Sequence, residues 1–115
     1  MTILKILQII AVIGTIGTGL LALLKPRSVY AFTGLNAPGP RGITEIRSIL
    51  GGLFIGLGAA VFALGTPEVY QMLGIMYIAI AAVRAVSILV DRSFEQSNLI
   101  SLVVEIVFGI ILVLK

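Results

Sequence analysis

Long apolar runs separated by short polar segments dominate the chain. Residues 6–24 and residues 48–67 contain no charged side chain. Because a helix of about 20 apolar residues crosses a hydrocarbon core about 30 Å thick, each run predicts one membrane-spanning helix.

Two further apolar runs each contain one charged residue. Arg84 lies within the run at about 67–90, and Glu105 lies within the run at about 97–114. A charged group at the centre of a bilayer costs about 2.5–3.5 kcal/mol on insertion scales, so these runs span only if their charges are sheltered. We interpret both as spans, because stretches such as residues 75–83 would otherwise form exposed apolar surface.

Turn-forming residues mark the ends of these helices. Gly65 suits the end of the second helix, Thr66 an N-cap, and Pro67 the first position of the third. Ser97 is the expected N-cap of the fourth helix. The segment that follows Pro26 is rich in aromatic residues and predicts a short helix at the membrane interface. The predicted helices are about 3–24, 43–65, 67–90 and 97–114, with an interfacial helix at about 26–33.

Composition supports this architecture and limits the chemistry. Hydrophobic residues make up 59% of the chain and charged residues 11%, where about 25% charged is usual for a soluble domain. We therefore predict an all-α fold, a single integral membrane domain over residues 1–115 with four transmembrane helices. The absence of Cys and His excludes disulfides, thiol nucleophiles, zinc sites of the Cys/His type and Ser-His-Asp chemistry. We expect no enzymatic activity, no metal ion and no cofactor.

The net charge of +3 is distributed over single, scattered cations. Nucleic-acid binding needs a clustered basic stripe, so no nucleic-acid partner is expected. The positive-inside rule explains the charge better. Four cations fall in the first and third loops and two near the termini, namely Lys25, Arg27, Arg41 and Arg92 against Lys5 and Lys115. We expect these loops to be cytoplasmic and both termini to lie outside.

Polar residues recur at helical spacing and predict a polar interior for the bundle. The residues expected to line it are Gln8, Thr15, Tyr77, Ser87, Asp91, Asn98 and Ser101.

Four ionisable residues are expected to form an intramembrane charge cluster. Arg84 and Glu105 lie at similar depths in neighbouring helices, so we predict that they pair, with Glu45 nearby. Arg47 lies about 200° around the helix from Glu45 and is free to extend towards the headgroups. Glu45 also suits the positive end of its helix dipole. The cluster is either a structural ion-pair network or part of a substrate or proton path.

Glycines in the second predicted helix indicate close helix packing. Gly52, Gly56 and Ala60 follow the small-xxx-small spacing, whereas Gly51 and Gly58 lie on a different face. We expect this helix to contact neighbours on both faces, one of which could belong to another subunit. A phosphate-binding loop is excluded, because the glycines do not precede a helix and no Lys follows them.

Several of these residues occur in a pattern that resembles a known family. The matching features are Leu24-x-Pro26, Tyr30, Gly34-Leu35, Glu45-x-Arg47, Gly51-Gly52-Leu53, Gly56-x-Gly58, Arg84 and Glu105. Together they resemble a family of small four-helix bacterial membrane proteins of unknown function and, more distantly, the DoxX-type proteins. The resemblance implies an integral membrane four-helix fold in the bacterial cytoplasmic (inner) membrane and implies no activity.

Two functional hypotheses follow. The first is a non-enzymatic binding or scaffold module for a membrane partner or lipophilic ligand. The second is a small proton- or solute-coupled transporter that works as an oligomer and uses Glu45, Arg84 and Glu105. The charged residues lie in one leaflet, which favours a blind cavity over a pore. The expected partners are membrane lipid and either further copies of the chain or a partner membrane protein.

Overall fold

The computed structural model describes residues Thr2–Lys115, and within this range the chain is helical and contains no strand. The predicted all-α class is confirmed. The helices are α1 (Ile3–Leu24), α2 (Tyr30–Thr33), α3 (Pro40–Leu64), α4 (Pro67–Asp91) and α5 (Gln96–Val113), and a 3₁₀ turn (Pro26–Val29) precedes α2.

Four of these helices, α1, α3, α4 and α5, are long and apolar enough to cross a membrane. At 1.5 Å per residue, the 25 residues of α3 and of α4 each extend over about 37 Å, which exceeds the apolar thickness of a bilayer. Large apolar side chains on these helices are exposed, for example Val83, Leu89 and Val90. Such a surface suits lipid as solvent and does not suit water.

The described residues form two compact units. The terminal unit comprises the chain up to Ala11 together with Gly65–Lys115, and the central unit comprises Val12–Leu64. Whether the two units form the single domain predicted from the sequence depends on how they associate. The single domain therefore stays a prediction.

Glycines allow the two long helices of the central unit to pack backbone against backbone. A methyl group on Gly19 of α1 would lie 2.8 Å from the carbonyl oxygen of Gly51 of α3. The converse also holds, because a methyl group on Gly51 would lie 3.3 Å from the carbonyl oxygen of Gly19. Further along, Gly58 faces Ile16, whose Cγ1 atom occupies the space that a methyl group on Gly58 would need. Glycine is the residue that lets two helices approach this closely.

The segment between α1 and α3 folds onto these two helices. Val29, from the 3₁₀ turn, is buried in a cluster with Ala22, Ala37 and Ile46. The predicted helix at 26–33 is present as this 3₁₀ turn followed by the single turn of α2. Gly34 ends α2 at φ +73°, a left-handed conformation that glycine adopts without strain.

Helix α3 departs from regular α geometry. It begins at Pro40, three residues before the predicted start, and residues Ile46–Leu53 form a π-helical segment. Gly51 and Gly52 lie in this segment, and glycine has a weak preference for the α conformation. A π segment widens the helix locally and changes the direction in which the following side chains point.

In the terminal unit, α4 and α5 also pack through glycine. Gly74 of α4 faces Gly109 of α5. The Tyr77 and Phe108 rings meet edge to face with centroids 5.6 Å apart, and Leu73 is 1% exposed. Apolar burial and close backbone contact therefore hold the hairpin together.

The ends of α4 and α5 match the turn signals only in part. Thr66 is extended and Pro67 opens α4, as predicted, although the Thr66 side chain makes no capping hydrogen bond. The prediction of Ser97 as an N-cap is wrong. The helix begins one residue earlier, and the Glu95 carbonyl accepts the Asn98 and Leu99 N–H groups, which places Ser97 inside the first turn.

Candidate functional site

A salt bridge between Arg84 of α4 and Glu105 of α5 is the central polar feature of the terminal unit. Arg84 Nε donates to Glu105 Oε1 at 2.7 Å, and Arg84 Nη2 donates to Glu105 Oε2 at 2.7 Å. The side chains are 31% and 11% exposed, respectively. Two parallel hydrogen bonds between a guanidinium and a carboxylate combine strength with a defined orientation. The predicted pairing of these two residues is confirmed.

Asn98 adds a third hydrogen bond to the same guanidinium. Arg84 Nη1 donates to Asn98 Oδ1 at 2.9 Å, while Asn98 Nδ2 donates to the Ser93 carbonyl oxygen at 2.9 Å and to Ser93 Oγ at 3.1 Å. We call Arg84, Glu105, Asn98 and Ser93 the Arg84 network. The network connects α4, α5 and the turn between these two helices.

Helix geometry explains why these residues meet. Arg84 lies seven residues before the end of α4 at Asp91, and Glu105 lies nine residues after the start of α5 at Gln96. At 1.5 Å per residue these positions are about 10 Å and 14 Å from the shared turn, a difference that two long side chains easily span. Arg92 closes the turn in a left-handed conformation at φ +52°, with its N–H bonded to the Ile88 carbonyl.

The buried polar atoms of the network have hydrogen-bond partners. Within residues Thr2–Lys115, no buried side-chain nitrogen or oxygen lacks a hydrogen-bond partner. The one positive and one negative charge of the network also cancel. A polar group in an apolar medium is stable only when it is satisfied in this way.

Asn98 is among the residues that the sequence predicts for the polar interior, whereas Ser93 is not. The available signal was local, because Ser93 precedes Asn98 by five residues in a short polar turn. Asn side chains commonly bond to backbone and hydroxyl groups of such turns.

Glu45 and Arg47 lie in the central unit, on α3. The Glu45 carboxylate pairs with Arg41, one helical turn earlier, and both side chains are more than half exposed. This pair exists because α3 begins at Pro40, which brings Arg41 into its first turn. Arg47 is exposed, as expected of a side chain that extends towards headgroups. The proximity of Glu45 to Arg84 stays a prediction.

Gln8 is the second long-range polar contact of the terminal unit. Its Nε2 donates to the carbonyl oxygens of Ile111 and Leu114, both at 3.0 Å, and the residue is 7% exposed. The last carbonyls of a helix have no partner within it, so Gln8 satisfies the end of α5.

The other residues predicted to line a polar interior differ in their surroundings. Thr15 and Tyr77 are buried, and Ser87 and Ser101 are half-buried. Asp91 is exposed, so the prediction that it lines the interior is wrong. As the last residue of α4, it lies beyond the buried part of the helix.

The glycines expected to pack helices divide into two groups. Gly51 and Gly58 are buried against α1, which confirms their packing role. Gly52 and Gly56 are exposed. A methyl group added to Gly52 would meet only the Arg47 carbonyl oxygen, at 3.9 Å, and one added to Gly56 would meet nothing within 4 Å. Gly74 is not among the predicted packing glycines, although a lone glycine inside an apolar helix is a signal for close packing.

The comparison with family models agrees with this architecture. The model described as a domain of unknown function (DUF4345) matches residues 3–115. The chain belongs to the DUF4345 family. No curated protein and no solved structure matches the chain.

Membership of the DUF4345 family confirms the resemblance to a family of small membrane proteins of unknown function and leaves the activity open. The charged and polar side-chain groups of this DUF4345 chain are carboxylates, guanidinium and ammonium groups, amides and hydroxyls. Among the described residues, no group of three or more acidic, His or Cys side chains is placed to hold a metal ion.

Proposed function

We propose that the chain is a non-enzymatic membrane protein that acts by binding another copy of itself, and that the Arg84 network fixes the hairpin of α4 and α5. The observation that carries the structural role of the network is its completeness. Arg84 makes three side-chain hydrogen bonds, two to Glu105 and one to Asn98.

A role in proton or solute coupling would require this network to open during each transport cycle. Opening would separate a 2.7 Å charged pair and leave both groups in an apolar surrounding, at a free-energy cost of several kcal/mol. The geometry therefore favours a structural network over a carrier site.

An exposed stripe of small residues on α3 supports self-association. Gly52 and Gly56 contact neither α1 nor the segment after it within the central unit, and the flanking Ile49 and Leu53 are 53% and 50% exposed. A stripe of small residues with apolar residues beside it is typical of surfaces on which membrane helices dimerise. We name this stripe on α3 the open glycine face.

A second copy of the chain is the occupant that fits this face. The chain already uses reciprocal glycine contacts twice, at Gly19 with Gly51 and at Gly74 with Gly109. Two α3 helices that cross at the open glycine face would repeat the same contact about a two-fold axis. Such an isologous interface needs no further partner.

The test is the oligomeric state of the protein in lipid nanodiscs, measured by native mass spectrometry and by energy transfer between labelled copies. The expected result is a dimer for the wild type and at least a tenfold weaker association for Gly56→Leu. Gly17→Leu is the matched control, because Gly17 is also an exposed helical glycine with nothing within 4 Å. A monomeric wild type, or equal weakening by Gly17→Leu, would contradict the proposal.

A further inference from the structure

An open groove in the central unit is lined by three cations and no carboxylate. Its volume is about 590 Å³, and its charged residues are Lys25 and Arg27 after α1 and Arg47 of α3. Pro26 and Ile43 contribute apolar wall. We call this the basic groove.

The charge of the basic groove is not neutralised by the described part of the chain. Among the described residues, the ion pairs are Arg41 with Glu45 and Arg84 with Glu105. Neither pair includes a cation of the groove. Glu45 is the acidic residue nearest to Arg47 along the chain, and Arg41 occupies it. Three like charges that line one cavity create a positive potential that attracts an anion.

The hydroxyl groups of the groove already donate hydrogen bonds to the backbone. Ser28 Oγ donates to the Lys25 carbonyl at 2.6 Å, and Thr44 Oγ1 donates to the Pro40 carbonyl at 3.2 Å. The ammonium and the two guanidinium groups are therefore the donors that face an incoming ligand. Guanidinium groups bind phosphate oxygens in a bidentate manner, and ammonium groups bind them as point charges.

Helix lengths place the groove at the membrane boundary. Lys25 directly follows the last residue of α1. Helix α3 ends at Leu64, and a membrane span of about 20 residues that ends there begins at Glu45. Arg47 thus lies at the depth where the hydrocarbon core meets the headgroups. Lipid phosphates occupy this depth.

The backbone that carries the groove is firmly packed. Pro26 and Val29 of the 3₁₀ turn are buried, and Val29 belongs to the same apolar cluster as Ile46, the residue before Arg47. The cations consequently project from a fixed frame. A preformed frame lowers the entropy lost when a ligand binds.

From these observations we propose that the basic groove binds the phosphate of an anionic phospholipid headgroup. The inference depends on the membrane-spanning role of α1 and α3 and is independent of the proposed dimer. Topology alone would explain cations on one side of the membrane, but it would not require them to share a cavity.

The test is a titration of phosphatidic acid, phosphatidylglycerol and phosphatidylcholine into the full chain in neutral detergent, read by native mass spectrometry. Binding of the two anionic lipids in preference to phosphatidylcholine is expected. A basic residue near an anionic lipid surface contributes about fivefold in affinity, so Arg27→Gln combined with Arg47→Gln should weaken binding by about 30-fold. The charge-retaining pair Arg27→Lys and Arg47→Lys should preserve most of the affinity.

Arg92→Gln combined with Lys115→Gln is the matched control, because it removes two exposed cations outside the groove. It should leave phosphatidic acid binding within about threefold of wild type. Equal loss in both double variants, or no preference over phosphatidylcholine, would overturn the proposal. Displacement of the lipid by millimolar inorganic phosphate would also overturn it, since the occupant would then be a soluble phosphate.

Discussion

Gly74 of α4 and Gly109 of α5 touch through their backbones. A methyl group on Gly74 would lie 2.9 Å from the Gly109 carbonyl oxygen, and one on Gly109 would lie 3.2 Å from the Gly74 carbonyl oxygen. Each glycine therefore makes room for the other helix. This contact lies near the end of the hairpin away from its turn, whereas the Arg84 network lies towards the turn.

Gly74→Ala is expected to destabilise the protein. The added methyl group meets backbone, which cannot rotate away, and overpacking of this kind costs about 1–3 kcal/mol. Gly17→Ala is the control, because its methyl group meets nothing within 4 Å and alanine favours the helix by about 1 kcal/mol. The free energy of unfolding in mixed micelles measures both. A Gly74→Ala variant as stable as Gly17→Ala would contradict the close contact.

Removing one partner of the salt bridge between Arg84 and Glu105 is expected to lower the free energy of unfolding more than removing both partners. Arg84→Leu or Glu105→Leu leaves a charge without its partner in an apolar surrounding, which destabilises by about 3 kcal/mol. The double variant removes both charges and should recover a large part of that loss. A double-mutant cycle on the free energy of unfolding gives the coupling. Additive single effects would show that the pair is not coupled.

Asn98→Ala is expected to lower the free energy of unfolding by about 1–2 kcal/mol. The substitution removes the acceptor for Arg84 Nη1 and both bonds to Ser93. Gln96→Ala controls for general effects at the start of α5, since Gln96 is exposed. If the two variants unfold alike, Asn98 does not belong to the network.

Gln8→Leu is expected to loosen the end of α5. Without the Gln8 amide, the carbonyls of Ile111 and Leu114 lose their long-range donor, and the last turn should open more often. Amide hydrogen exchange of residues 111–114 should become about tenfold faster, corresponding to a loss of about 1.4 kcal/mol in local stability. Exchange in α4 serves as the internal reference. Unchanged exchange at the end of α5 would show that Gln8 does not stabilise it.

The pairing of Arg84 with Glu105 could be predicted because an apolar medium leaves charges few alternatives. Each is an isolated charge in its apolar run, and counting residues from the shared turn puts them at similar depths. The pair of Glu45 with Arg41 was equally accessible as a spacing of four residues on one helix. The predicted helix start at about residue 43 leaves Arg41 outside the helix, whereas Pro40 occupies the first turn, a position that suits proline.

Four apolar helices, the turn at Gly65, Thr66 and Pro67, and the principal ion pair can all be predicted from the order of the residues. These follow from local periodicity, from turn chemistry and from the cost of a lone charge in lipid. The folded chain was needed to show which glycines contact a neighbouring helix, where α3 becomes π-helical, and that Asn98 joins Arg84 to Ser93. Those features depend on how far one helix is rotated and shifted along another, and packing between residues distant in sequence sets that register.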